Sequence, residues 1–424
     1  MLPFHLAGDN DLGPEPERAA PSPVEFLMVL AFINMLGFAG WQALINNFAR
    51  EQAQFGWFET GLNQTFREIP GLLAFTAVFW LMWLREQTLA YASLALLAFG
   101  VALTGFFPTL WGILATTLVM SFGFHYFEAA THAMQLQLLR HQHAARDMGR
   151  IQSASSFAQF VAYASIFVLT AWFGVTSYVS VFVLVGIAAV GLMVLSVRHF
   201  PRYEGLVVQR KEIVVRRRYG LYYALTFMSG ARRQIFSAFG AFLLVDRFGL
   251  AIDKIALLYL ATALVSTVLA TRLGRLIGWL GERRTMILEN VVLIGIFTGY
   301  ALTSSASVAV LLFIVDGASM SLMIAQRTYF QKIGDPADMA STTSVAFTVN
   351  HIAAVVIPVV FGLIGHRDPS IIFWLGAMIA AGSLVLALLV PLAPAPGNEA
   401  LTAKFWPSRP GRPEPKLLTH QPAE

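Results

Sequence analysis

A stripe of four polar residues interrupts an apolar stretch, FHYFEAATHAMQ, in the first half of the sequence. His125, Glu128, His132 and Gln135 are spaced so that they fall within about 80° of one another on an α-helix. This combination is compatible with three chemistries. The histidines and the carboxylate could hold a divalent metal, the stripe could form structural hydrogen bonds between helices, or it could bind a substrate while Glu128 exchanges a proton.

Two arginines and an aspartate also lie inside apolar stretches. Arg232 and Arg233 fall midway along LTFMSGARRQIFSAFGAF, where a guanidinium is suited to a carboxylate or phosphate on a substrate. Adjacent helical residues point about 100° apart, so we expect at most one of them to face a central cavity. The alternative is a structural ion pair with Glu128 or Asp316. Asp316 is also the second candidate for proton exchange, unless it only forms a hydrogen bond to a neighbouring helix.

Further polar residues in apolar stretches give weaker signals. We expect Gln42, Asn350 and His351 to line the same path, although hydrogen bonds between helices explain them equally well. Arg67 and Glu68 precede a proline that can bend their helix, and we interpret them as a structural pair that supports gating.

The composition indicates that most of the chain is surrounded by lipid. Hydrophobic residues make up 57% of the 424 positions, charged residues make up only 12%, and the mean hydropathy is +0.64. The net charge of +5 arises from basic residues in loops, which favours contact with anionic lipid headgroups over binding of nucleic acid. The sequence contains no cysteine, which excludes disulfides and thiolate metal sites.

Apolar segments of about 20 residues, each long enough to cross a membrane as a helix, occur twelve times along the chain. The sequence therefore predicts an all-α membrane protein with twelve transmembrane helices in two pseudo-symmetric six-helix bundles. The predicted parts are an N-terminal tail at 1–23, a first bundle at 24–197, a basic linker at 198–218, a second bundle at 219–391 and a disordered tail at 392–424.

Basic residues are concentrated in alternate loops, most densely in the linker that ends with Arg216, Arg217 and Arg218. Loops rich in Lys and Arg stay on the cytoplasmic side during membrane insertion. We therefore expect both tails in the cytoplasm.

The two halves of the chain repeat one another. A shift of 191 residues places Gln135 on Gln326 and His125 on Asp316. Membrane proteins built from repeats often bind their substrates near the membrane midplane, at the interface of the repeats. We therefore expect His125 and Asp316 to face each other across a pseudo-twofold axis.

The stretch GRLIGWLGERR carries the remnant of a known motif, G-x-L-x-D-R-x-G-R-R. It matches at Gly274, Leu276, Gly281 and Arg283, whereas Gly278 replaces the acidic residue, and the first-half stretch FWLMWLREQT does not match. With the six-plus-six layout, this remnant resembles the major facilitator superfamily across both bundles. The resemblance implies a transporter in a bacterial inner membrane, with helices 1, 4, 7 and 10 around a central cavity. It also implies that Gly274, Gly281 and Arg283 shape a cytoplasmic turn that closes the gate. Because Gly278 replaces the acidic residue of the motif, the gate must be held closed by other contacts.

These features predict a secondary transporter that moves a small solute by alternating access. The midplane arginines favour an organic anion, and Glu128 and Asp316 favour coupling to protons. The sequence has no P-loop motif, so we do not expect ATP hydrolysis. The favoured prediction is a monomer that is not an enzyme and needs no cofactor or resident metal, with substrate, protons and lipids as partners.

Two alternatives to this prediction stay open. The 34 phenylalanines could serve the efflux of amphipathic compounds. A membrane-embedded, metal-dependent enzyme could instead be built on His125, Glu128 and His132.

Overall fold

The computed structural model describes residues 21–139, 144–203, 215–335 and 338–401. Within these ranges the chain is almost entirely helical. Most of the predicted N-terminal tail, linker residues 204–214 and residues 402–424 lie outside the described residues.

The described residues of the first half form seven α-helices. A capping box starts the first helix, because Ser22 accepts from the backbone N–H of Glu25 at 3.2 Å and Glu25 accepts from that of Ser22 at 3.0 Å. The helices are α1 (Pro23–Gln52), α2 (Trp57–Leu72), α3 (Ala77–Leu81), α4 (Glu86–Thr104), α5 (Leu110–Leu138), α6 (Ala144–Ala171) and α7 (Tyr178–His199).

The second half contains eight α-helices within the described ranges. They are α8 (Gly220–Gln234), α9 (Ala241–Asp246), α10 (Ile252–Leu280), α11 (Glu282–Leu302), α12 (Ala306–Ser319), α13 (Ile324–Ile333), α14 (Met339–Gly365) and α15 (Ser370–Leu388).

Ten helical segments of the described chain are long and apolar enough to cross a membrane. Two of the twelve apolar segments of the sequence, 57–84 and 219–245, are missing from this set; they are also helical, but each is divided into shorter pieces. Counted with these two broken spans, the architecture has six spans in each half.

Both broken spans carry charged residues directly before the break. In the second span, a 3₁₀ turn at Ala74–Thr76 separates α2 from α3 shortly after Pro70, which has no backbone N–H to donate. In the seventh span, a π-helical segment at Ile235–Gly240 joins α8 to α9. Turns of this kind change which side chains face inward, and they are frequent at functional sites.

The two bundles are joined at one end of the molecule, called the Asp246 end below. Trp57 Nε1 donates to the Asp246 carboxylate at 3.1 Å, and Arg50 pairs with the same carboxylate at 2.6 Å. Asn47 Nδ2 donates to the Leu250 carbonyl at 2.8 Å. With α2 packed along α14 and α6 along α10, these contacts close the interface at the Asp246 end.

The opposite end, called the Asp338 end, holds the last part of the basic linker. Arg216 donates to both Asp338 carboxylate oxygens at 3.0 Å, Arg218 donates to one of them at 3.1 Å, and the Tyr219 hydroxyl donates at 3.2 Å. The described end of the linker is therefore bound to protein at the start of α14.

The chain after α15 folds back onto the Asp338 end. The Tyr329 hydroxyl donates to the Glu399 carbonyl at 2.5 Å, and the Leu401 N–H donates to the Leu389 carbonyl at 2.8 Å. The prediction that disorder begins at residue 392 is therefore wrong for residues 392–401. Their Pro-rich composition suggested a solvated tail, but backbone hydrogen bonds and the burial of Glu399 hold this stretch against the bundle.

Candidate functional site

A cluster of charged and imidazole side chains lies between the two bundles, near the midpoints of the spans that carry it. We call it the interbundle cluster and define it as Arg67, Glu68, His125, Arg233 and His351. Glu68, which is 1% exposed, is at its centre. One of its oxygens pairs with Arg67, and the other lies 3.9 Å from Arg233 Nη2 and 3.7 Å from His351 Nε2. Four helices from both halves of the chain therefore meet at one carboxylate.

The two histidines of the interbundle cluster approach each other beside Glu68. Their ring centroids are 5.4 Å apart, and one ligand atom from each of the three residues lies within 4.8 Å of the other two. Gly71 permits this approach, because a Cβ there would overlap His351 and lie 2.7 Å from His125 Nε2. The donor set suits a metal ion, but the guanidinium groups on either side of Glu68 repel a divalent cation.

A small cavity extends from the cluster along the bundle interface. Its volume is about 20 Å³, which is room for roughly one water molecule. Gln64 lies in its wall, donates to Gln234 across the interface at 2.6 Å and accepts from Arg67 Nε at 3.1 Å. The structure places the predicted path residue Gln42 in the same wall.

The adjacent arginines of the seventh span have different environments. The Arg233 side chain is 35% exposed, and its Nη2 donates to Asn350 Oδ1 at 2.9 Å. The Arg232 side chain is 4% exposed and pairs with Glu289 of α11 at 2.5 Å, inside the second bundle. Of the two, Arg233 alone belongs to the interbundle cluster, in agreement with the expected 100° between neighbouring side chains.

Glu289 is a residue that the sequence analysis missed. For the two arginines, the alternative to substrate binding was an ion pair with Glu128 or Asp316, and the structure shows an ion pair of Arg232 with Glu289 instead. A signal was available, since an isolated acid in an apolar segment usually faces the protein interior and has a partner there.

Asp316 does not join His125 in the interbundle cluster, contrary to the expectation from the repeat. It is fully buried in the second bundle, and neither carboxylate oxygen has a hydrogen-bond partner among the described residues. Its charged neighbour is Arg232. The repeat does not preserve helix geometry at this point: α5 continues unbroken past His125, whereas α12 passes into a 3₁₀ turn at Met320–Met323.

The predicted stripe on α5 is divided between two environments. His125 is buried in the interbundle cluster, Glu128 and Gln135 are partly buried, and His132 is exposed. Towards the Asp338 end, His132 lies within electrostatic range of Arg327, which is exposed on the second bundle. The stripe therefore runs from the cluster towards the Asp338 end.

The possible metal ligands also differ from those that the stripe suggested. Among the described residues, the group with ligand atoms close together joins His125 to Glu68 and His351 rather than to Glu128 and His132. Arg67 and Glu68, which we interpreted as a structural pair, do pair with each other, but they also form the centre of the interbundle cluster.

The motif remnant forms the turn between α10 and α11 at the Asp338 end. Gly274 lies in α10, Gly281 joins the helices with φ +76°, a conformation that favours glycine, and Arg283 is partly buried in α11. Glu282 is 4% exposed and pairs with Lys332 of α13 at 2.6 Å. This ion pair, which the sequence analysis did not predict, holds the turn against α13.

Comparisons with known proteins agree with this architecture. The family model described as Major Facilitator Superfamily matches residues 24–358. The nucleoside transporter NupG superposes with a TM-score of 0.68 at 15% sequence identity, and the match covers 87% of this chain and 98% of the NupG chain. A mutant form of NupG superposes with a TM-score of 0.70 at 14% identity, and that match covers 87% of this chain and 99% of the mutant chain. A bacterial homologue of the human lysosomal transporter Spinster, in an inward-facing and unoccupied conformation, superposes with 0.64 at 13% identity, covering 87% and 95%.

No curated protein matches the sequence. At identities this low, the solved structures show similarity of fold alone. Together with the family model, they confirm the prediction of twelve helices in two bundles.

Proposed function

The chain belongs to the Major Facilitator Superfamily, and we propose that this transporter carries a small organic anion across the membrane, coupled to protons, by alternating access. It is a transporter rather than an enzyme. Alternating access requires a binding site that both bundles share, so that rocking of one bundle against the other exposes the site to each side in turn. The interbundle cluster meets this requirement.

Arg233 is the observation that favours an anion. Its side chain is 35% exposed between the bundles, and its hydrogen-bond acceptor is the neutral amide of Asn350. Glu68 is 3.9 Å away and is already paired with Arg67. A substrate carboxylate or phosphate would gain two parallel hydrogen bonds from this guanidinium.

The lining between the cluster and the Asp338 end favours the same class of substrate. His132 and Arg327 are exposed on facing bundles, and the partly buried Gln135 follows His132 on the same face of α5. An anion that enters from this end would meet positive charge or hydrogen-bond donors before it reaches Arg233.

We assign proton exchange to Glu128 and Asp316. Glu128 lies within electrostatic range of Arg233, so a proton on its carboxylate changes how strongly that guanidinium attracts a substrate. Asp316 is fully buried without a hydrogen-bond partner among the described residues, and a proton there avoids an unpaired buried charge.

The orientation follows from the distribution of basic residues. We place the Asp338 end, which carries the linker, in the cytoplasm of a bacterium and the protein in its inner membrane, as a monomer surrounded by lipid. With the Asp246 end closed, the molecule is then in a state whose central site communicates with the cytoplasm.

Replacement of Arg233 by Lys tests the proposed anion site. A point charge cannot form the two parallel hydrogen bonds of a guanidinium, so we expect R233K to bind a carboxylate or phosphate ester about tenfold more weakly, with little change in stability. The measurement is the thermal shift of the detergent-purified protein with a panel of such anions, since a ligand of the folded state raises its stability by mass action.

R232K is the matched control, because it makes the same change one position away, where the guanidinium faces Glu289. It should lower the unfolding temperature without selectively removing the response to anions. A wild-type protein that none of the anions stabilises would contradict the substrate class, and R233K losing stability and anion response together would assign Arg233 to a structural ion pair.

A further inference from the structure

A row of polar side chains lines the small cavity that lies between the interbundle cluster and the Asp246 end. These side chains belong to α1 and α2 of the first bundle, and Ser237 in the π-helical segment of the second bundle faces them. We call them the polar wall and define it as Trp41, Gln42, Asn46, Thr60, Asn63 and Gln64. Because all six belong to the first bundle, the wall stays assembled when the bundles separate.

Two members of the polar wall have polar atoms that are not hydrogen-bonded. Trp41 Nε1 and Thr60 Oγ1 have no partner among the described residues, and these residues are only 2% and 7% exposed. A buried polar group without a partner destabilises a structure, whereas apolar side chains of similar shape would seal the Asp246 end without this cost. The unpaired groups therefore indicate that a ligand pairs with them.

The chemistry of the polar wall defines the ligand group that fits it. An indole N–H only donates a hydrogen bond, whereas the Thr60 hydroxyl and the side-chain amides of the wall both donate and accept. An apolar group would leave all of them unpaired, and a cation would be repelled by Arg67, which lines the same cavity. A hydroxyl group, which accepts from the indole and donates to a neighbour, satisfies these requirements.

The polar wall lies close to the proposed anion site. Gln64 Nε2 is 3.4 Å from one oxygen of Glu68, and the other oxygen of Glu68 is 3.9 Å from Arg233 Nη2. A single carboxylate therefore separates the wall from the guanidinium, so that one small molecule can contact both.

We propose that the polar wall binds hydroxyl groups of the substrate while its anionic group binds to Arg233, so that the substrate is a hydroxylated organic anion, such as a sugar acid. This inference rests on the proposed function and specifies its substrate class. While the Asp246 end is closed, the cavity has room for roughly one water-sized group. The full contact forms when this end opens and Gln64 separates from Gln234, to which it now donates at 2.6 Å.

Pairs of anions that differ only in their hydroxyl groups test the polar wall. The probes are gluconate with hexanoate and glycerate with propionate, and sorbitol serves as a neutral polyol. Apparent affinities come from the thermal shift of the detergent-purified full-length protein as a function of ligand concentration. We expect the hydroxylated member of a pair to bind at least about tenfold more tightly, because its deoxy analogue leaves groups of the wall unpaired.

The variant T60V removes one unpaired hydroxyl and keeps the shape of the side chain. It should be at least as stable as the wild type, because a buried unpaired group is lost, but its preference for the hydroxylated anion should fall about three- to tenfold. Hexanoate should bind to both proteins equally. N46L, which removes an amide from the wall, should lower the same preference and is sufficient if T60V fails to fold.

T104V is the matched control for T60V. Thr104 is also buried in the first bundle, but its hydroxyl donates to the Gly100 carbonyl within α4 at 2.9 Å. The same substitution there should leave the preference for hydroxylated anions unchanged.

The possible results separate the polar wall from the anion site. Equal binding of the hydroxylated and deoxy anions would support the anion site and overturn the role of the wall. Binding of sorbitol that T60V weakens, without binding of any anion, would support the wall and contradict the anionic class. A T60V protein that is less stable but keeps the full preference would assign the wall to a bound water only, and a panel without any ligand would contradict both proposals.

Discussion

Single residues in the interior differ in how completely their charges are paired. Arg232 and Glu289 pair with each other, and both side chains are almost fully buried. Glu68, in contrast, is shared by Arg67, Arg233 and His351. A complete pair stabilises one structure, whereas a shared carboxylate leaves charge that a ligand or a proton can compensate.

Replacement of Arg232 by Met should destabilise the protein strongly. The change leaves Glu289 buried without a counter-charge, and breaking a buried ion pair in this way costs about 3–5 kcal/mol. Thermal unfolding of the purified protein measures the loss. The double variant R232M/E289L removes both charges and should recover much of it, and equal losses in the single and double variants would contradict a dominant ion pair.

The Asp338 carboxylate, outside the membrane spans, gives a pH dependence. Hydrogen bonds from Arg216 lower the pKa of Asp338, although burial acts in the opposite direction. A carboxyl with a lowered folded pKa stabilises the fold above its unfolded pKa, and this stabilisation is lost as the pH falls through the folded pKa. We therefore expect the contribution of Asp338 to be constant above about pH 5, to decrease below about pH 4 and to be lost as the pH falls through the lowered folded pKa.

The variant D338N tests this pH dependence. It should unfold at a lower temperature than the wild type at neutral pH, with a difference that shrinks below about pH 4. R216Q should behave in the same direction, while R217Q, at the exposed neighbouring position, serves as the control. A constant difference between D338N and the wild type at all pH values would refute the assignment.

At the scale of helices, the second span and α14 form a contact that depends on small residues. A Cβ on Gly61 would overlap the Pro358 carbonyl, and one on Gly362 would lie 2.6 Å from the Trp57 carbonyl. Because both neighbours are backbone atoms, they cannot rotate away. These glycines let α2 and α14 approach closely on the side of the cluster that faces the Asp246 end.

The variant G61A should shift the protein towards a state with the Asp246 end open. The chain has no cysteine, so a single cysteine at Asn46, which is 8% exposed between the bundles, reports this opening by its rate of maleimide labelling. We expect labelling at least about tenfold faster in G61A, which corresponds to a change of about 1.4 kcal/mol in the equilibrium.

G295A is the control for the change at Gly61. A Cβ at Gly295 meets nothing within 4 Å, so this variant should label like the parent and gain up to about 1 kcal/mol of helix stability. If G61A labels no faster than G295A, the backbone contact does not hold the Asp246 end closed.

The whole molecule is held in one conformation by contacts from both bundles. Asp246 accepts from Trp57 and Arg50 at the closed end, and Gln64 bonds to Gln234 deeper in the interface. All of these contacts cross between bundles, so they must break if the site is to face the other side.

Cross-linking of Asn47 to Leu250 should trap this conformation. Asn47 donates to the Leu250 carbonyl at 2.8 Å, and cysteines at both positions would be the only ones in the chain. After treatment with a short reducible cross-linker, hydrogen–deuterium exchange in α2 and α14 should slow at least about tenfold at the Asp246 end. Each single-cysteine variant is a control, and unchanged exchange after cross-linking would mean that these helices do not separate there.

The sequence by itself determined that most of the chain is surrounded by lipid, how many spans it has and that it is divided into two halves. These properties depend on local hydropathy and on the positions of basic loops. Both can be read from contiguous residues without knowledge of tertiary contacts. It also identified Arg67, Glu68, His125, Arg233 and His351 as separate polar residues in apolar segments.

Only the tertiary structure decided which of these residues meet. The pairing of Glu68 with His351, and of Arg232 with Glu289, joins residues that are far apart in the chain. Such contacts depend on the rotation of each helix and on the docking of the bundles, and the breaks in the second and seventh spans alter both. The repeat pattern predicted Asp316 opposite His125, but the structure buries it in the interior of the second bundle.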